Sequence, residues 1–478
     1  MRYPFLLGVI REKRIQVSLF LILILGFLLR LYHLGVPSLW FDELMTAGRI
    51  DYPLIQVVKN LFVSPFPPLY YIMMHLWVNI FGVSEITLRF PSLIFSVLSI
   101  FFIFKLAKEL YDEEVGLISA LLLSISPYSI NYAHEAKMYS LLWFLGILSF
   151  YYFYKFTKDH NNKDLFLYIL FTTLSIYTLY VGFLFMVVQN ISYFTFFEKK
   201  QTQKWLLGQF IILLSYLPWI YIFFVNALQR TGIKWIPQTQ NYYKRIVRVF
   251  SQTMGITLSE RLFVKYFFRG LYGFLMISAL VPLKYKRDKA GIFHFTKKEI
   301  LILAWIIVPI LIYLIIDILI YPILVTRYIG FIHIPLVILI SRGASQYSLK
   351  VKGFLLGSLL LITFLGLLSP YYQYNLKVNQ EDWRGLFHLI HQKAERDALV
   401  ISESKHFNKG AKYYNDGQEL GLMKKGEIDQ NWIDKNYESI FVIYRVVFKT
   451  KMKGPYGYAL VEDYNDGAIG FLWFKKLL

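Results

Sequence analysis

The chain has 478 residues, 56% of them hydrophobic and only 17% charged, with a mean hydropathy of +0.46. Soluble domains carry about 25% charged residues, so the composition excludes a water-soluble globular protein and makes length a poor guide to domain number. The net charge of +20 comes from Lys and Arg grouped between apolar runs, the positive-inside pattern of a polytopic membrane protein; no nucleic-acid partner is expected, and the absence of cysteine excludes disulfides and Cys-ligated metals.

Arg2, Arg11, Lys13 and Arg14 precede an apolar run over residues 15–34 that has no small-residue cleavage site, so it reads as a retained first helix with its basic flank inside. Residues 35–84 then fall outside, with Trp40, Asp42, Glu43, Asp51 and the turn Ser64-Pro65-Phe66-Pro67-Pro68. The apolar run 69–81 is short for a span and is expected to lie as a helix in the outer interface; if it crossed, the later Lys clusters would fall outside. Helices are predicted over 88–106, 115–131 and 139–156, and 165–197 divides into two short crossings with a bend near 180–182. Further helices are predicted over 205–225, 267–283, 300–320, 323–341 and 353–368. The pattern gives about eleven crossings, with the N-terminus inside and the C-terminus outside.

One stretch disagrees. Residues 226–265 should be external, yet they hold Arg230, Lys234, Lys244, Arg245, Arg248, Arg261 and Lys265. Long loops obey the charge rule weakly; the alternatives are a local failure of the topology, or a basic loop that meets anionic lipid or substrate phosphate. After Pro370 the chain turns polar and mixed, with a helix predicted over 383–396, strands over 399–403 and 439–444, and a candidate strand pair at 457–461 and 467–474. The expected architecture is an all-α polytopic membrane module over 1–369, with an external loop over 35–87, followed by a small extracytoplasmic α/β domain over 370–478.

Asp42, Glu43, Arg89, Glu135, Lys137 and Arg327 come from segments distant in sequence and all fall on the external side of this topology. Ionisable groups near hydrocarbon are costly and tend to pair or to serve function. The adjacent carboxylates of Asp42 and Glu43 suit general-base removal of a proton from an attacking hydroxyl, and neighbouring acids also shift one another's pKa or hold a metal. Arg89 and Arg327, the latter beside Tyr328, offer forked donors to phosphate oxygens, and Lys137 can join them; snorkelling at the interface is the competing explanation. Glu135 and Tyr139 stand four residues apart, so on a helix they would share a face and Glu135 could orient a substrate hydroxyl. His75 and His134 are spare metal-ligand candidates, although a lone interfacial His is more often structural.

Six pieces, in order, carry a resemblance: Leu29-Arg30-Leu31-Tyr32 through Ser38-Leu39-Trp40-Phe41-Asp42-Glu43; Pro67-Pro68-Leu69-Tyr70-Tyr71; Leu88-Arg89-Phe90-Pro91-Ser92; Glu135-Ala136-Lys137-Met138-Tyr139; Thr326-Arg327-Tyr328; and Glu381-Asp382-Trp383-Arg384-Gly385. Together they resemble the dolichyl-phosphate-mannose protein mannosyltransferase and lipid A aminoarabinose transferase superfamily, of the polytopic GT-C fold and similar to glycosyltransferase family 39. The resemblance implies an integral membrane enzyme that moves a sugar from a polyprenyl-phosphate donor to an extracytoplasmic acceptor, whether protein, lipid A or another envelope glycan. It makes 35–87 the catalytic loop, Asp42 the general base with Glu43 beside it, Arg89, Lys137 and Arg327 the carrier-phosphate contacts, Glu135 a substrate-side acid, and Tyr139 and Tyr328 their neighbours at the substrate.

Three departures stand out. Phe66 stands where the family often has His, Lys137 where it often has Arg, which loses the bidentate fork, and Thr178-Leu179-Tyr180 where many bacterial members read Thr-His-Tyr. The absent histidines weaken a metal assignment and leave a divalent ion an open question. Other functions compete with this one: a lipid-linked sugar flippase or transporter, which would carry acids deep in its helices and an inverted repeat; a non-catalytic envelope polysaccharide assembly protein, which would tolerate neutral substitution of Asp42; and a sister GT-C oligosaccharide ligase. No repeat is evident, and Asp317, the main acid within an apolar run, lies toward the run's outer end.

Overall fold

In the computed structural model the apolar runs are helices. The structure describes residues 2–62, 66–228, 242–254, 262–281, 296–321, 323–368, 381–394, 398–402, 412–414, 421–424, 439–445, 458–465 and 469–476. In chain order the helices are α1 (Arg2–Leu31), α2 (Phe41–Ile50), α3 (Leu54–Leu61), α4 (Leu69–Phe81), α5 (Glu85–Leu110), α6 (Glu113–Ile125), α7 (Pro127–Ala133), α8 (Tyr139–Asp159), α9 (Asn162–Thr178) and α10 (Gly182–Phe196). They continue as α11 (Thr202–Leu228), α12 (Tyr242–Thr253), α13 (Leu262–Leu280), α14 (Lys297–Leu319), α15 (Thr326–Ile329), α16 (His333–Ser345), α17 (Leu349–Leu368) and α18 (Trp383–Lys393).

Five of the described helical runs are long and apolar enough to cross a bilayer: Ile10–Leu31, Glu85–Leu110, Thr202–Val225, Lys297–Leu319 and Thr326–Ser345; a sixth is counted if α6 and α7 form one span bent by 59°. The protein is polytopic. Length and composition among the described residues thus support five or six of the expected eleven crossings; α10 and the Arg269–Leu280 part of α13 are apolar but shorter than a span. Ser64, Pro65, Arg230, Lys234, Arg261, Lys284, Lys286, Arg287, Lys289 and Pro370 lie outside the described residues.

Several helices differ from expectation for identifiable reasons. The run predicted over 115–131 breaks at Ser126, because Pro127 lacks an N–H and takes the first position of α7, where the Ser126 hydroxyl accepts the Ser129 N–H at 3.3 Å. The run predicted from residue 323 begins instead at Thr326 and passes through a 3₁₀ turn, Gly330–Ile332, before α16. The basic stretch 226–265, read as a loop, contains α12, whose low hydrophobicity hid it among the charges.

The described chain divides into two compact units. The first comprises Met1–Tyr32, Leu61–Tyr70 and Phe90–Ser369. Within it α1 and α16 each pack on α6, α13 on α16, α10 on α14, and α9 on both α8 and α11. Small residues permit close backbone approach where lipid supplies no hydrophobic drive: a Cβ at Gly343 would stand 1.9 Å from the Leu275 carbonyl oxygen, so glycine is required where α16 meets α13. Arg30 of α1 is fully buried in this unit. Its Nε donates to Ser96 Oγ (2.7 Å), Nη1 to the carbonyls of Gly26 (3.0 Å) and Ser124 (2.7 Å), and Nη2 to the Leu123 carbonyl (3.0 Å) and Ser129 Oγ (2.9 Å). All five guanidinium N–H groups are used, and two of them cap the last carbonyls of α6 at the break.

The second unit comprises His33–Asn60, Tyr71–Arg89 and Pro370–Leu478. This grouping joins residues 33–60 and 71–89 to the C-terminal segment, whereas the expected division was 1–369 and 370–478. Five strands, β1 (Ala398–Ser402), β2 (Gly421–Lys424), β3 (Ser439–Arg445), β4 (Tyr458–Asn465) and β5 (Ile469–Lys476), form a sheet in the order β2-β1-β3-β5-β4. β1 runs parallel to β2 and β3, and β5 antiparallel to β3 and β4, with Phe441 opposite Trp473. The predicted strand pair is β4–β5, whereas β2 was not anticipated, since Gly-Leu-Met-Lys has no alternation to read. In α18, Trp383, Leu386, Phe387 and Ile390 are buried at helical spacing, each worth about 1.5–3 kcal/mol of transfer free energy.

Candidate functional site

In the second unit, the Trp-x-Asp-Glu segment forms the entry to α2. Trp40 occupies the N-cap and Phe41, Asp42 and Glu43 the first turn, where the positive end of the helix dipole favours carboxylates. Glu43 reaches back so that its Oε2 accepts the Trp40 N–H at 3.2 Å. Asp42 is half-buried, and its carbonyl accepts the Thr46 hydroxyl at 3.0 Å.

Arg89 and Glu43 are both fully buried and form a forked pair, Nε to Oε1 at 2.9 Å and Nη2 to Oε2 at 2.6 Å. The remaining Arg89 donors go to the carbonyls of Leu34 (2.9 Å), Pro37 (2.8 Å) and Ser38 (2.9 Å). A guanidinium has five N–H groups, and here all are spent on Glu43 and on the chain just before α2. In this arrangement Arg89 closes the loop and Glu43 is its counter-ion.

The C-terminal segment meets the same loop. The Glu381 carboxylate accepts the Phe41 N–H at 2.7 Å and the Trp383 indole N–H at 2.8 Å, and the Ser38 hydroxyl donates to the Glu381 carbonyl at 2.9 Å. The Tyr414 hydroxyl accepts the Leu39 N–H at 2.7 Å and donates to Glu85 Oε1 at 3.0 Å; Tyr413 donates to Glu85 Oε2 at 2.9 Å, and Arg384 pairs with Glu85 as well. Burial, aided by donation to Glu85, pushes the Tyr413 phenol up to about 12, which keeps it a donor at neutral pH. Of this set only the 381–385 piece showed in the sequence; Glu85, Tyr413 and Tyr414 gave no signal, because their partners are hundreds of residues away.

In the first unit, Glu135 and Lys137 lie in the turn between α7 and α8. The chain leaves helix at Ala133 and re-enters at Tyr139, so the expected shared helical face of Glu135 and Tyr139 does not exist. Instead Ser92 of α5 donates to the Glu135 carbonyl at 2.7 Å, and Asn131 donates to Glu135 Oε1 at 3.2 Å. Lys137 is only 4% exposed, and among the described residues no acceptor or carboxylate pairs with its ammonium. Tyr139 packs edge-on to Tyr132 (5.2 Å), which meets Tyr128 (4.9 Å) and Trp143 (5.1 Å). Arg327 opens α15 with its guanidinium 5.6 Å from the Tyr328 ring, and the Tyr128 hydroxyl donates to the Thr326 carbonyl at 3.1 Å. The unit thus brings Lys137's turn, Tyr139 and the Thr326-Arg327-Tyr328 piece around one aromatic cluster.

The spare histidines bond to backbone and amide groups. His75 Nδ1 bonds the Ile50 carbonyl and its Nε2 the Asn79 amide, both at 2.9 Å, and His134 Nε2 bonds the Arg30 carbonyl at 2.7 Å. Among the described residues no three His, Asp or Glu side chains converge as a metal site, and both Glu43 oxygens are committed. Asp317 is also structural: its Oδ1 accepts the N–H groups of Ile323 and Leu324, and its Oδ2 pairs with Arg245 of α12.

Residues 66–222 match the sequence pattern of a family described as dolichyl-phosphate-mannose-protein mannosyltransferase. No curated protein matches by sequence. Among solved structures, the fold is similar to that of ArnT from Cupriavidus metallidurans in the apo state (TM-score 0.63, 11% identity, 97% of this chain and 98% of that one). It is likewise similar to ArnT bound to undecaprenyl phosphate (TM-score 0.62, 11% identity, 95% and 97%). The archaeal oligosaccharyltransferase AglB from Archaeoglobus fulgidus, in complex with an inhibitory peptide and a dolichol-phosphate, is more distant (TM-score 0.51, 10% identity, 90% and 69%).

Proposed function

We propose that this chain, which has the GT-C fold of those structures, transfers a sugar from a polyprenyl-phosphate carrier to an acceptor outside the cytoplasm. The bond from the anomeric carbon to the carrier phosphate breaks as a bond to the acceptor oxygen or nitrogen forms; the acceptor's proton passes to Asp42, and the carrier leaves as polyprenyl phosphate. Lys137 and Arg327 neutralise the charge that grows on the phosphate. Glu135 and Tyr139 stand with Lys137 on the substrate side, and Tyr328 with Arg327. Glu43 and Arg89 hold the loop that carries Asp42.

The observation that carries this reading is Lys137: its side chain is almost wholly enclosed, and among the described residues no carboxylate pairs with its ammonium. A cation held out of water needs a counter-charge, and an anionic ligand supplies one. The Arg89 ion pair adds a second support, since it takes Glu43 out of the Asp42-Glu43 pair and leaves Asp42 as the acid to test. The transporter reading loses ground, because Asp317 is a helix-end cap with its own cation and not a relay in the span.

The test is incubation of the purified full-length protein with a panel of polyprenyl-phosphate sugars and acceptor extracts, following release of polyprenyl phosphate. Turnover that disappears in Lys137→Met and Asp42→Asn supports the assignment. Absence of release with every donor, or release unaffected by both substitutions, defeats it.

A further inference from the structure

Helix α2 begins badly by local rules. Its N-cap is Trp40, and an indole can donate a hydrogen bond but cannot accept one. The orphan N–H groups of a helix start are ordinarily taken by a Ser, Thr, Asp or Asn at that position, and removing such a cap costs about 1 kcal/mol. Here one acceptor comes from the same turn and two come from the C-terminal segment. Glu43 accepts the Trp40 N–H, the Tyr414 hydroxyl accepts the Leu39 N–H, and Glu381 accepts the Phe41 N–H at 2.7 Å. The Glu381 carboxylate is itself buried and oriented by the Trp383 indole at 2.8 Å, while its carbonyl receives the Ser38 hydroxyl. Asp42 is the next residue after Phe41.

We infer that Glu381 is a positioning residue for Asp42: a carboxylate from the C-terminal segment serves as the missing cap of α2 and sets the direction in which the first turn presents the Asp42 side chain. This inference rests on the role proposed above for Asp42. It gives the 381–385 piece a specific task. Asp382 caps α18 by accepting the Gly385 N–H at 3.0 Å, Trp383 orients Glu381, and Arg384 pairs with Glu85 and donates to the Val36 carbonyl at 3.4 Å. The piece grips the chain on both sides of Leu39, and the catalytic loop is complete only when the C-terminal segment is folded against it.

The experiment compares Glu381→Ala, Glu381→Gln and Trp383→Phe in the full-length protein, with two readouts. Hydrogen exchange of the peptide covering residues 38–46 reports the cap directly and needs no substrate. Glu381→Ala should expose the Phe41 amide and speed its exchange at least tenfold; Glu381→Gln keeps a carbonyl acceptor in place and should change it less than threefold; Trp383→Phe should fall between them. In the turnover assay, Glu381→Ala should lower kcat at least tenfold while KM for the polyprenyl-phosphate donor stays within twofold, and Glu381→Gln should restore most of the rate. A merely structural role would move kcat and KM together, or leave Gln as impaired as Ala. Unchanged exchange in Glu381→Ala overturns the cap, whatever the activity. Faster exchange with an unchanged kcat overturns the positioning role while leaving the proposed reaction standing. Failure of the parent protein to turn over any donor counts against the proposed function and not against the cap.

Discussion

Arg89 grips Glu43 with two parallel N–H···O bonds, at 2.9 and 2.6 Å, and neither side chain is exposed. The pair explains why two adjacent acids need not share one task. Glu43 points inward to a cation whose other donors close the chain between Leu34 and Ser38, and Asp42 precedes it on the first turn of α2.

Breaking one half of this pair leaves an uncompensated buried charge, which costs about 3–5 kcal/mol. Glu43→Gln and Arg89→Met are expected to destabilise the protein by that order, read as a fall in the thermal midpoint in detergent. Arg89→Lys should not rescue, because an ammonium cannot make the fork or reach the three carbonyls. A Glu43→Gln protein as stable as the parent would show that the pair contributes little.

Asp42→Asn should behave oppositely. It keeps the size of the side chain and its capacity to hydrogen-bond, so the thermal midpoint should hold. Transfer should fall about 10²–10⁴-fold, the range supplied by a general base. If turnover persists near the parent rate, the base lies elsewhere and Glu135 is the next carboxylate to test.

Lys137 separates stability from function. Lys137→Met removes a buried charge that has no partner among the described residues, so the thermal midpoint should stay level or rise. Release of polyprenyl phosphate should drop by about 10²-fold, the cost of one donor engaged in the transition state. Arg327→Met is expected to lower the rate to a similar degree. A Lys137→Met protein that unfolds early would identify the lysine as structural.

Arg30 should be intolerant of any substitution. Its removal strands the carbonyls of Leu123 and Ser124 at the break between α6 and α7, and each unsatisfied buried group costs about 1–3 kcal/mol. Arg30→Leu is expected to lower the thermal midpoint and accelerate hydrogen exchange in α6 and α7; unchanged exchange there would show that the break holds without the arginine.

The proposed sidedness is open to a labelling test in this Cys-free chain. Gln56 and Asn162 are both exposed. Cysteines introduced there should react with an impermeant maleimide from opposite faces of sealed vesicles, Gln56 from the extracytoplasmic face. Reaction from one face alone contradicts the topology in which the loop over 35–87 is external.

Periodicity and charge spacing were enough to establish the membrane class, most helix positions, the short helix over 69–81, the bend near residues 180–182 and the β4–β5 pair. Apolar length and turn residues are local properties, and a bilayer enforces them strongly. The site residues were legible as types: Asp42 as an acid after the first helix, Lys137 and Arg327 as cations where the topology placed the outer side. Their tasks were not. Arg89 and Lys137 read alike in the sequence as interfacial cations, and only the fold shows that one has every donor occupied while the other is buried without an acceptor among the described residues. Glu135 and Tyr139 keep the spacing of a helix that Pro127 and the turn after Ala133 interrupt. Glu381 meets Phe41 across 340 positions of sequence. Hydrogen bonds of that span are decided by tertiary packing, because a local pattern records what a residue can donate or accept and the fold alone decides which partner stands within reach.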